Sequence, residues 1–320
     1  MKAALAQWLT TASRPVVHRA PNSGFQAAAL RRLLCDIRGV ECNESPLLSH
    51  FTLDAEANAT ALHKDGYDTL YSPPEASVKV AHRMWVGGRV SFSGPSDPSG
   101  PGSDPSGSSE TDGVDDIDIH ARVTKVEEKS SGAVFVWTER LLKNAQSHRT
   151  LITDSRTHFY KPSETQRTSP MIKHVPLPNV EFTFATPTFD TSPTSVFQYS
   201  AITFNSHRIH YDVDYCRNVE KYPDLLVHGP LTATLALDSA RDALRTQLAP
   251  SSVRIHAFEY KAVSPLLVHT PFRVCGVIRQ SAGSDPTQPR IMEVWVVRGT
   301  DDGVVMECTV EFSQSNKKTC

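Results

Sequence analysis

Histidines and aspartates are concentrated between residues 204 and 236, in the sequence FNSHRIHYDVDYCRNVEKYPDLLVHGPLTATLA. Histidine has an unperturbed pKa near 6.5, so it is the side chain best suited to move protons at neutral pH. A Gly-Pro step at residues 229–230 opens an apolar segment and is typical of a helix start, whose free amides can bind an oxyanion. The stretch therefore predicts a site that transfers protons and stabilises a developing negative charge. Its histidines and aspartates are His207, His210, His228, Asp212, Asp214 and Asp224.

His210 is the first candidate for the proton-transferring group. It lies between Ile209 and Tyr211, just after a predicted strand, and loops beside rigid elements commonly carry functional residues. Asn205 precedes it by five residues, so both side chains can point at one water molecule. A histidine that is only hydrogen-bonded within its loop is the alternative interpretation.

The segment Val227–Leu231 supplies the candidate oxyanion donor. Gly229 lies in the N-cap region of the predicted helix and Pro230 at its first position. Pro230 has no N–H, so Gly229 and the residues after the proline provide the free amides at the positive end of the helix dipole. Such donors suit an enolate or thioester oxyanion, and a glycine lets a substrate carbonyl approach closely. The alternative is an ordinary helix start.

Two rounds of helix followed by antiparallel strands position these residues. The periodicities predict an α+β fold with two helix-wrapped, curved antiparallel sheets. We place a first, degenerate module at 25–160, a proline-containing linker at 161–180, the catalytic module at 181–313 and a tail at 314–320. Residues 93–116 are of low complexity and predict a disordered loop. The predicted helices cover 25–40 and 230–248, and the predicted strands cover 84–92, 117–128, 132–142, 150–160, 196–204, 253–263, 270–280, 291–299 and 303–312.

Composition excludes several classes of function. The net charge of −2 and the lack of a basic run argue against a nucleic-acid surface. No run of 18 apolar residues exists, so a membrane-spanning helix is excluded. The six cysteines are scattered without a CxxC pair, which argues against a zinc site and predicts ordinary buried thiols.

The N-terminus has the composition of a targeting segment. Residues 1–34 contain no aspartate or glutamate, but they contain five lysines and arginines among alanine, serine and threonine. This composition predicts a mitochondrial transit peptide over residues 1–24, with a disordered arm as the alternative. The corresponding location is mitochondrial, and otherwise cytoplasmic.

The order of motifs resembles the MaoC-like dehydratases and (R)-specific enoyl-thioester hydratases. It is most similar to their two-module branch of mitochondrial 3-hydroxyacyl-thioester dehydratases and mesaconyl-CoA hydratase-like proteins. The resemblance implies a double hot dog fold and reversible loss of water from a (3R)-3-hydroxyacyl thioester of acyl carrier protein or coenzyme A. It implies no metal or other cofactor, and it allows a homodimer. The matching stretches are HRMWVGGRVSF (82–92), YSAITFNSHRIHYDVDYC (199–216), VHGPLTATLALD (227–238) and FEYKAVSPLLVHTPFRVCG (258–276).

The family motif Asp-x-Asn-x-x-His-x-Asp can be carried over position by position. His210 matches its catalytic histidine, and Gly229 matches the glycine whose amide polarises the thioester carbonyl. Asn205 stands at the position of the catalytic aspartate, where it can orient a hydroxyl but cannot accept a proton. His207 stands at the asparagine position and is a reserve acid. The remaining assignments are supporting roles for His207, Asp212 and His228, and substrate contacts for Arg208, Tyr211 and Pro230.

Several alternatives stay open at this point. The first is hydration of a small dicarboxylyl-CoA of mesaconyl or itaconyl type, in place of mitochondrial type II fatty-acid synthesis. A hot dog thioesterase would need Asp212 or Asp238 as its carboxylate. A non-catalytic acyl-thioester binding module is the third. His82 and Arg83 are interpreted as a structural pair or a contact to the carrier phosphate, and the aspartates of DGYD (65–68) as turn formers.

Overall fold

The computed structural model describes residues 2–20, 23–39, 62–74, 80–93, 117–162, 172–248, 253–279 and 289–314. The helices are α1 (Lys2–Ala12), α2 (Ser23–Arg38), α3 (Pro193–Ile202), the single turn α4 (Val213–Tyr215) and α5 (Gly229–Gln247). The strands of the first half are β1 (Val16–Ala20), β2 (Val80–Phe92), β3 (Ile117–Glu128), β4 (Val134–Asn144) and β5 (Thr150–Pro162). Those of the second half are β6 (Phe184–Ala185), β7 (Val253–Ala262), β8 (Phe272–Arg279), β9 (Arg290–Arg298) and β10 (Val304–Gln314).

All ten strands form one antiparallel sheet in the order β1-β3-β4-β5-β2-β7-β10-β9-β8-β6. The first five positions come from the first half of the chain and the last five from the second half. Pairing of β2 with β7, from Gly87↔Lys261 to Ser91↔Ala257, joins the two halves. The predicted α+β fold class is confirmed. The predicted module boundaries stay a prediction, and residues 94–116 of the predicted loop and 163–171 of the predicted linker lie outside the described residues.

Helix α5 is the central helix of the second half. It packs on β7, β8, β9 and β10, and its apolar residues Leu231, Leu235, Leu237 and Leu244 are fully buried. Threonines in the helix satisfy their hydroxyls on its own backbone, since Thr232 and Thr234 donate to the carbonyls four residues earlier. A helix buried on most of its surface is expected in the centre of a core. The predicted helix over 230–248 is therefore confirmed.

The segment predicted as a strand over 196–204 is wrong, because it forms helix α3. Ser192 caps this helix: its hydroxyl accepts from the Ser195 amide, and the Ser195 side chain accepts from the Ser192 amide. Pro193 occupies the first turn, where its missing N–H costs nothing. The capping box and the burial of Val196 and Tyr199, three residues apart, fit a helix rather than the alternation of a strand.

The glycine pair Gly87-Gly88 in β2 lies at a β-bulge and at a close approach of neighbouring backbone. The register with β5 shifts between Trp85 and Gly87, which is a β-bulge. The backbone also approaches its neighbours closely, because a Cβ on Gly88 would lie 2.2 Å from the Ser155 carbonyl oxygen. Glycines at this junction allow one strand to pair with both halves of the sheet.

The N-terminal segment is part of this fold. Strand β1 pairs with β3, and Leu5 of α1 packs with Val134, Val136 and Tyr160 under the first half of the sheet. The alternative of a disordered arm is therefore wrong for residues 2–20, whereas the targeting role of the segment stays a prediction. In the part of the chain that the structure describes, no helix is long and apolar enough to cross a membrane.

The cysteines divide into two kinds. Cys216, Cys275 and Cys308 are buried free thiols, as expected, and burial raises their pKa values. Cys35 is disulfide-bonded, so the expectation of an ordinary thiol is wrong for this residue.

Candidate active site

His210 lies at the end of a short 3₁₀ turn, Arg208–His210, and its side chain is buried. Its Nδ1 is 2.9 Å from the carbonyl oxygen of Leu226, in the segment that leads to α5. A carbonyl oxygen can only accept a hydrogen bond, so Nδ1 carries the proton. The other ring nitrogen, Nε2, therefore keeps its lone pair. This is the tautomer that a general base requires.

The surroundings keep His210 uncharged. Burial lowers its pKa to about 4, the hydrogen bond to Leu226 opposes this shift, and the positive charge of Arg83 adds to it. At neutral pH the imidazole is unprotonated and ready to accept a proton. Its conjugate acid, once formed, is a strong proton donor.

His228 fixes the position of the His210 ring. The two rings stack with centroids 3.5 Å apart and an interplanar angle of 20°. His228 is the N-cap residue of α5, and its Nε2 is 2.9 Å from the hydroxyl oxygen of Ser200. Burial lowers the pKa of His228 well below its usual value, so two neutral rings stack without charge repulsion. The stack holds His210 beside the N-terminus of α5.

Gly229 is the first residue of α5. Its amide belongs to the first turn, whose N–H groups have no acceptor within the helix. The space that a side chain would occupy here is filled by the indole of Trp85, since a Cβ would lie 2.4 Å from Cε3 of that ring. The glycine is thus required for packing against Trp85 of the other half, a reason that the sequence did not show. The role of the amide in polarising the thioester stays a prediction.

Asn205 is held at the beginning of the same loop. Its backbone amide donates to the carbonyl oxygen of Ser200, and its Oδ1 accepts from the amide of His207 at 3.2 Å. The assignment of Oδ1 follows because a backbone N–H needs an acceptor. The side-chain NH₂ is left to donate. Asn205 and Ser206 also line a cavity of about 90 Å³, whose other walls come mostly from β2, β4 and β5.

His207 contacts His210 edge to face, with ring centroids 5.8 Å apart. The pKa of His207 is lowered well below its usual value, by burial first and then by the neighbouring His210 and Arg83. At neutral pH His207 is therefore unprotonated and a poor source of protons. The structure places His207 and His228 against the His210 ring, and their supporting roles stay a prediction.

The other predicted residues are placed differently. Asp212 caps α4 through the Tyr215 amide and binds the guanidinium of Arg208 at 2.7 Å, so its carboxylate orients an arginine. Arg208 also lies over the Tyr215 ring, and the Tyr211 hydroxyl donates to the carbonyl oxygen of Ser206. These contacts stabilise the shape of the loop. Pro230, in the first turn of α5, is half-buried.

The DGYD loop of the first half contacts the loop of residues 205–212, which carries His210. The Arg208 amide donates to the carbonyl oxygen of Asp65, and the Ser206 hydroxyl donates to that of Gly66 at 2.6 Å. Gly66 has φ of +87°, and a Cβ there would lie 2.0 Å from the Ser206 carbonyl oxygen. Only glycine fits this backbone and this approach. Tyr67 then reaches the His207 ring, with centroids 5.7 Å apart.

His82 and Arg83 have separate partners rather than forming a pair. His82 Nδ1 lies 2.6 Å from Oε2 of Glu220, and Oε1 of the same carboxylate accepts from the Tyr215 hydroxyl. This contact connects β2 to the segment Cys216–Glu220, which follows α4. Arg83 turns to the cavity beside Asn205.

Comparison with known proteins gives the family. Residues 48–268 match the hydroxyacyl-thioester dehydratase type 2 family, which is more than half of the chain. The chain belongs to this family. The mitochondrial hydroxyacyl-thioester dehydratase type 2 of Schizosaccharomyces pombe is 29% identical over 223 residues, covering 67% of this chain and 71% of that protein. The mesaconyl-C(4)-CoA hydratase of Chloroflexus aurantiacus is 36% identical over 121 residues, covering 38% of this chain and 37% of that protein.

Solved structures confirm the predicted hot dog fold of this family member. A MaoC-like dehydratase from Phytophthora capsici superposes with a TM-score of 0.62 at 13% identity, covering 95% of this chain and 97% of that one. Identity at this level shows the fold alone. The resemblance inferred from the four sequence stretches is thus confirmed for family and fold.

Proposed function

We propose that this dehydratase family member catalyses the reversible loss of water from a 3-hydroxyacyl thioester, with His210 as its only proton-transferring group. One observation supports this most directly. The His210 ring donates its Nδ1–H to Leu226 and stacks on His228, the N-cap residue of α5, so the ring lies beside the amide-rich N-terminus of that helix. A base and an oxyanion donor are the two parts that removal of a proton next to a thioester carbonyl requires.

One histidine is sufficient for both proton transfers of the proposed reaction. In dehydration, Nε2 of His210 takes the proton from C2, and the amide of Gly229 binds the enolate oxygen. The C3–O bond then breaks, and the imidazolium gives its proton to the departing hydroxyl, which leaves as water. The lowered pKa makes His210 a weak base but a strong acid, so the enolate must be stabilised by the helix N-terminus. The product is a trans-2-enoyl thioester.

Hydrolysis of the thioester is less well supported, because both carboxylates that it would need have other partners. Asp212 accepts from Arg208 and from the Tyr215 amide. Asp238 lies on α5 within 4.0 Å of Arg38 and 3.5 Å of Arg241. Neither is placed as the base of a hydrolase.

Hydration of crotonyl-CoA tests the proposal directly. We expect the enoyl-thioester absorbance to fall on addition of the protein while free thiol, measured in the same sample, stays constant. Thiol release at the same rate would indicate a thioesterase. Retained crotonyl-CoA binding with neither signal would indicate a binding module, and both outcomes contradict the proposal.

Replacing Asn205 with aspartate is expected to lower kcat for hydration by about 10- to 100-fold, which corresponds to losing one hydrogen bond to a charged or developing anionic group. The aspartate keeps an acceptor for the His207 amide, but it loses the NH₂ donor that we assign to the hydroxyl. The kcat of Asn205→Ala should fall by a similar factor. The measurement is steady-state kcat of both variants, and a kcat equal to or above wild type in Asn205→Asp would show that the site works with a carboxylate.

We also propose the thioester carrier, the assembly and the location of the protein. The thioester carrier is acyl carrier protein or coenzyme A, and a homodimer of double hot dogs is the expected assembly. A mitochondrial location is supported by the acid-free N-terminal composition and by the mitochondrial name of the Schizosaccharomyces pombe relative. Residues 2–20 also contribute α1 and β1 to the fold, so this segment contributes to structure as well.

A further inference from the structure

Phe204 has a backbone conformation that bulky residues rarely adopt. Its φ is +52°, in the left-handed region, where a Cβ normally comes too close to the following carbonyl oxygen. Small polar residues and histidine tolerate this conformation best, whereas a large apolar side chain there is an outlier. The other non-glycine residues with positive φ in the part of the chain that the structure describes all have polar side chains; they are His148, Lys221, His269 and Asp302.

The left-handed turn at Phe204 has a clear structural role, because it places Asn205. Helix α3 ends at Ile202 with Thr203 as its C-cap, so Phe204 is the residue directly after the cap. The Asn205 amide then donates to the Ser200 carbonyl oxygen at 2.9 Å, which is the hydrogen bond of a Schellman ending. Such endings usually have glycine after the cap, since glycine adopts this φ without strain. The position of Asn205 therefore explains the conformation but not the phenylalanine.

The phenylalanine ring is not explained by core packing either. Phe204 is 44% exposed, and it is not part of the hydrophobic clusters that the described residues form. Its neighbours on α3 differ in this respect, since Tyr199 is buried and Ile202 packs against the main core. A ring that stays exposed removes little apolar surface from water and adds little stability. Strained backbone that packing does not explain is concentrated at functional sites.

Phe204 lies beside the position proposed for the reacting carbons. It lines the cavity of about 90 Å³ together with Asn205, and Tyr71 and Tyr160 of the first half line the same cavity. Asn205 is proposed to position the hydroxyl group on C3. The residue that precedes Asn205 in this wall is thus adjacent to C3 and C4 of an acyl group bound there.

We propose that Phe204 is a substrate-binding residue whose ring covers the acyl group near C3, and that this contact is the reason for a phenylalanine in a left-handed position. The inference rests on the proposed hydratase function, because that function places C3 at Asn205. Binding buries the exposed part of the ring against the acyl carbons, and apolar surface removed from water contributes to affinity. A glycine would adopt the backbone without strain but would leave this side of the acyl group in contact with water.

Two ligands that differ only in the acyl group test this contact. Butyryl-CoA carries a four-carbon acyl group without a double bond to hydrate, and free CoA has no acyl group; the Kd of each is measured by titration calorimetry. In Phe204→Gly we expect the Kd of butyryl-CoA to rise about five- to tenfold, the factor lost with one or two methylene-sized contacts. The Kd of CoA should stay unchanged. Phe204→Leu keeps a large apolar side chain, so its Kd for butyryl-CoA should rise less.

Thermal stability gives a second readout, which should change in the opposite direction. Phe204→Gly and Phe204→Asn relieve the left-handed strain, so their Tm should rise by about 1 to 3 °C although both bind butyryl-CoA more weakly. His148→Gly is the backbone control, because His148 has φ of +55° in the exposed turn between β4 and β5. Phe197→Ala is the side-chain control, because it removes another exposed ring of α3. Both controls should leave the Kd of butyryl-CoA unchanged.

The outcomes separate this contact from the function on which it rests. If the wild-type protein binds butyryl-CoA but does not hydrate crotonyl-CoA, the proposed function fails, and the Kd values still decide on the ring. If Phe204→Gly binds butyryl-CoA as tightly as the wild type does, the contact is wrong and the function stands. An equal rise in the Kd of CoA would assign the ring to the carrier arm, and a lower Tm in both Phe204→Gly and Phe204→Asn would assign it to the fold; either result contradicts the proposal. Should Phe204→Gly not fold, Phe204→Asn is titrated in its place.

Discussion

Replacing His210 with alanine is expected to lower kcat for crotonyl-CoA hydration by at least about 100-fold, and by as much as about 10,000-fold. The physical reason is that one imidazole makes both proton transfers in the proposed reaction. The neighbouring rings are not placed to take over, because Nε2 of His228 is held by the Ser200 hydroxyl and His207 contacts the His210 ring only edge to face. The KM should change less than kcat, since His210 acts in the transition state.

His210→Gln is the matched control for packing. Glutamine can still donate to the Leu226 carbonyl, as the imidazole does at 2.9 Å, but it cannot act as a base. We expect both variants to lose activity to a similar extent, while thermal unfolding shows the smaller destabilisation in His210→Gln. His207→Gln should retain more activity than either. A kcat above about a tenth of the wild-type value in His210→Ala would contradict the assignment.

Much of the second half could be predicted from sequence because its signals are local. The Gly-Pro step and the apolar residues after it define α5 without knowledge of the rest of the chain. The four strands after α5 alternate or are rich in β-branched residues, and their observed bounds lie close to the predicted ones. The candidate site follows the same rule, since His210 and Gly229 lie within one short stretch.

Local signals were misleading at α3. The apolar, aromatic composition of residues 196–204 suggested a strand, but Ser192, Pro193 and Ser195 form a helix start. These residues directly precede the apolar segment. The helix cap that they form could be recognised in the sequence, and it determines that the segment is helical. The corrected helix matters for the site, because its Ser200 holds both the Asn205 amide and the His228 ring.

Contacts between the two halves could not be predicted, since no short-range pattern encodes them. Trp85 fills the space over Gly229 from a strand far away in sequence. The wall of the cavity beside Asn205 has a partial signal in Asp154, Arg156 and His158, which alternate along β5. Alternation places three polar side chains on one face, but only the sheet register brings Arg140 and Arg83 to them.

The protein is expected to lose roughly 5 kcal/mol of its free energy of unfolding when the pH falls from 7.5 to 5.5. Burial lowers the pKa of four histidines in the folded protein, to about 4 for His210; they are His158, His207, His210 and His228. In the unfolded chain each titrates near 6.5, so the unfolded state binds more protons below that pH. Their contribution is therefore fully present above pH 6.5 and is lost as the pH falls toward the folded-state values.

For one pH unit below 6.5, each of these histidines lowers the free energy of unfolding by about 1.4 kcal/mol, and the four together account for the expected loss. For a chain of this size that corresponds to a decrease in Tm on the order of 10 °C, measured by calorimetry between pH 7.5 and 5.5. His158→Gln keeps an acceptor for Arg83 but does not titrate, so it should remove about a quarter of the decrease. A Tm that is constant over this range, or an equal decrease in His158→Gln, would show that these buried rings do not control acid stability. Since the pKa of His210 is about 4, activity lost near pH 5.5 should follow unfolding rather than protonation of the catalytic base.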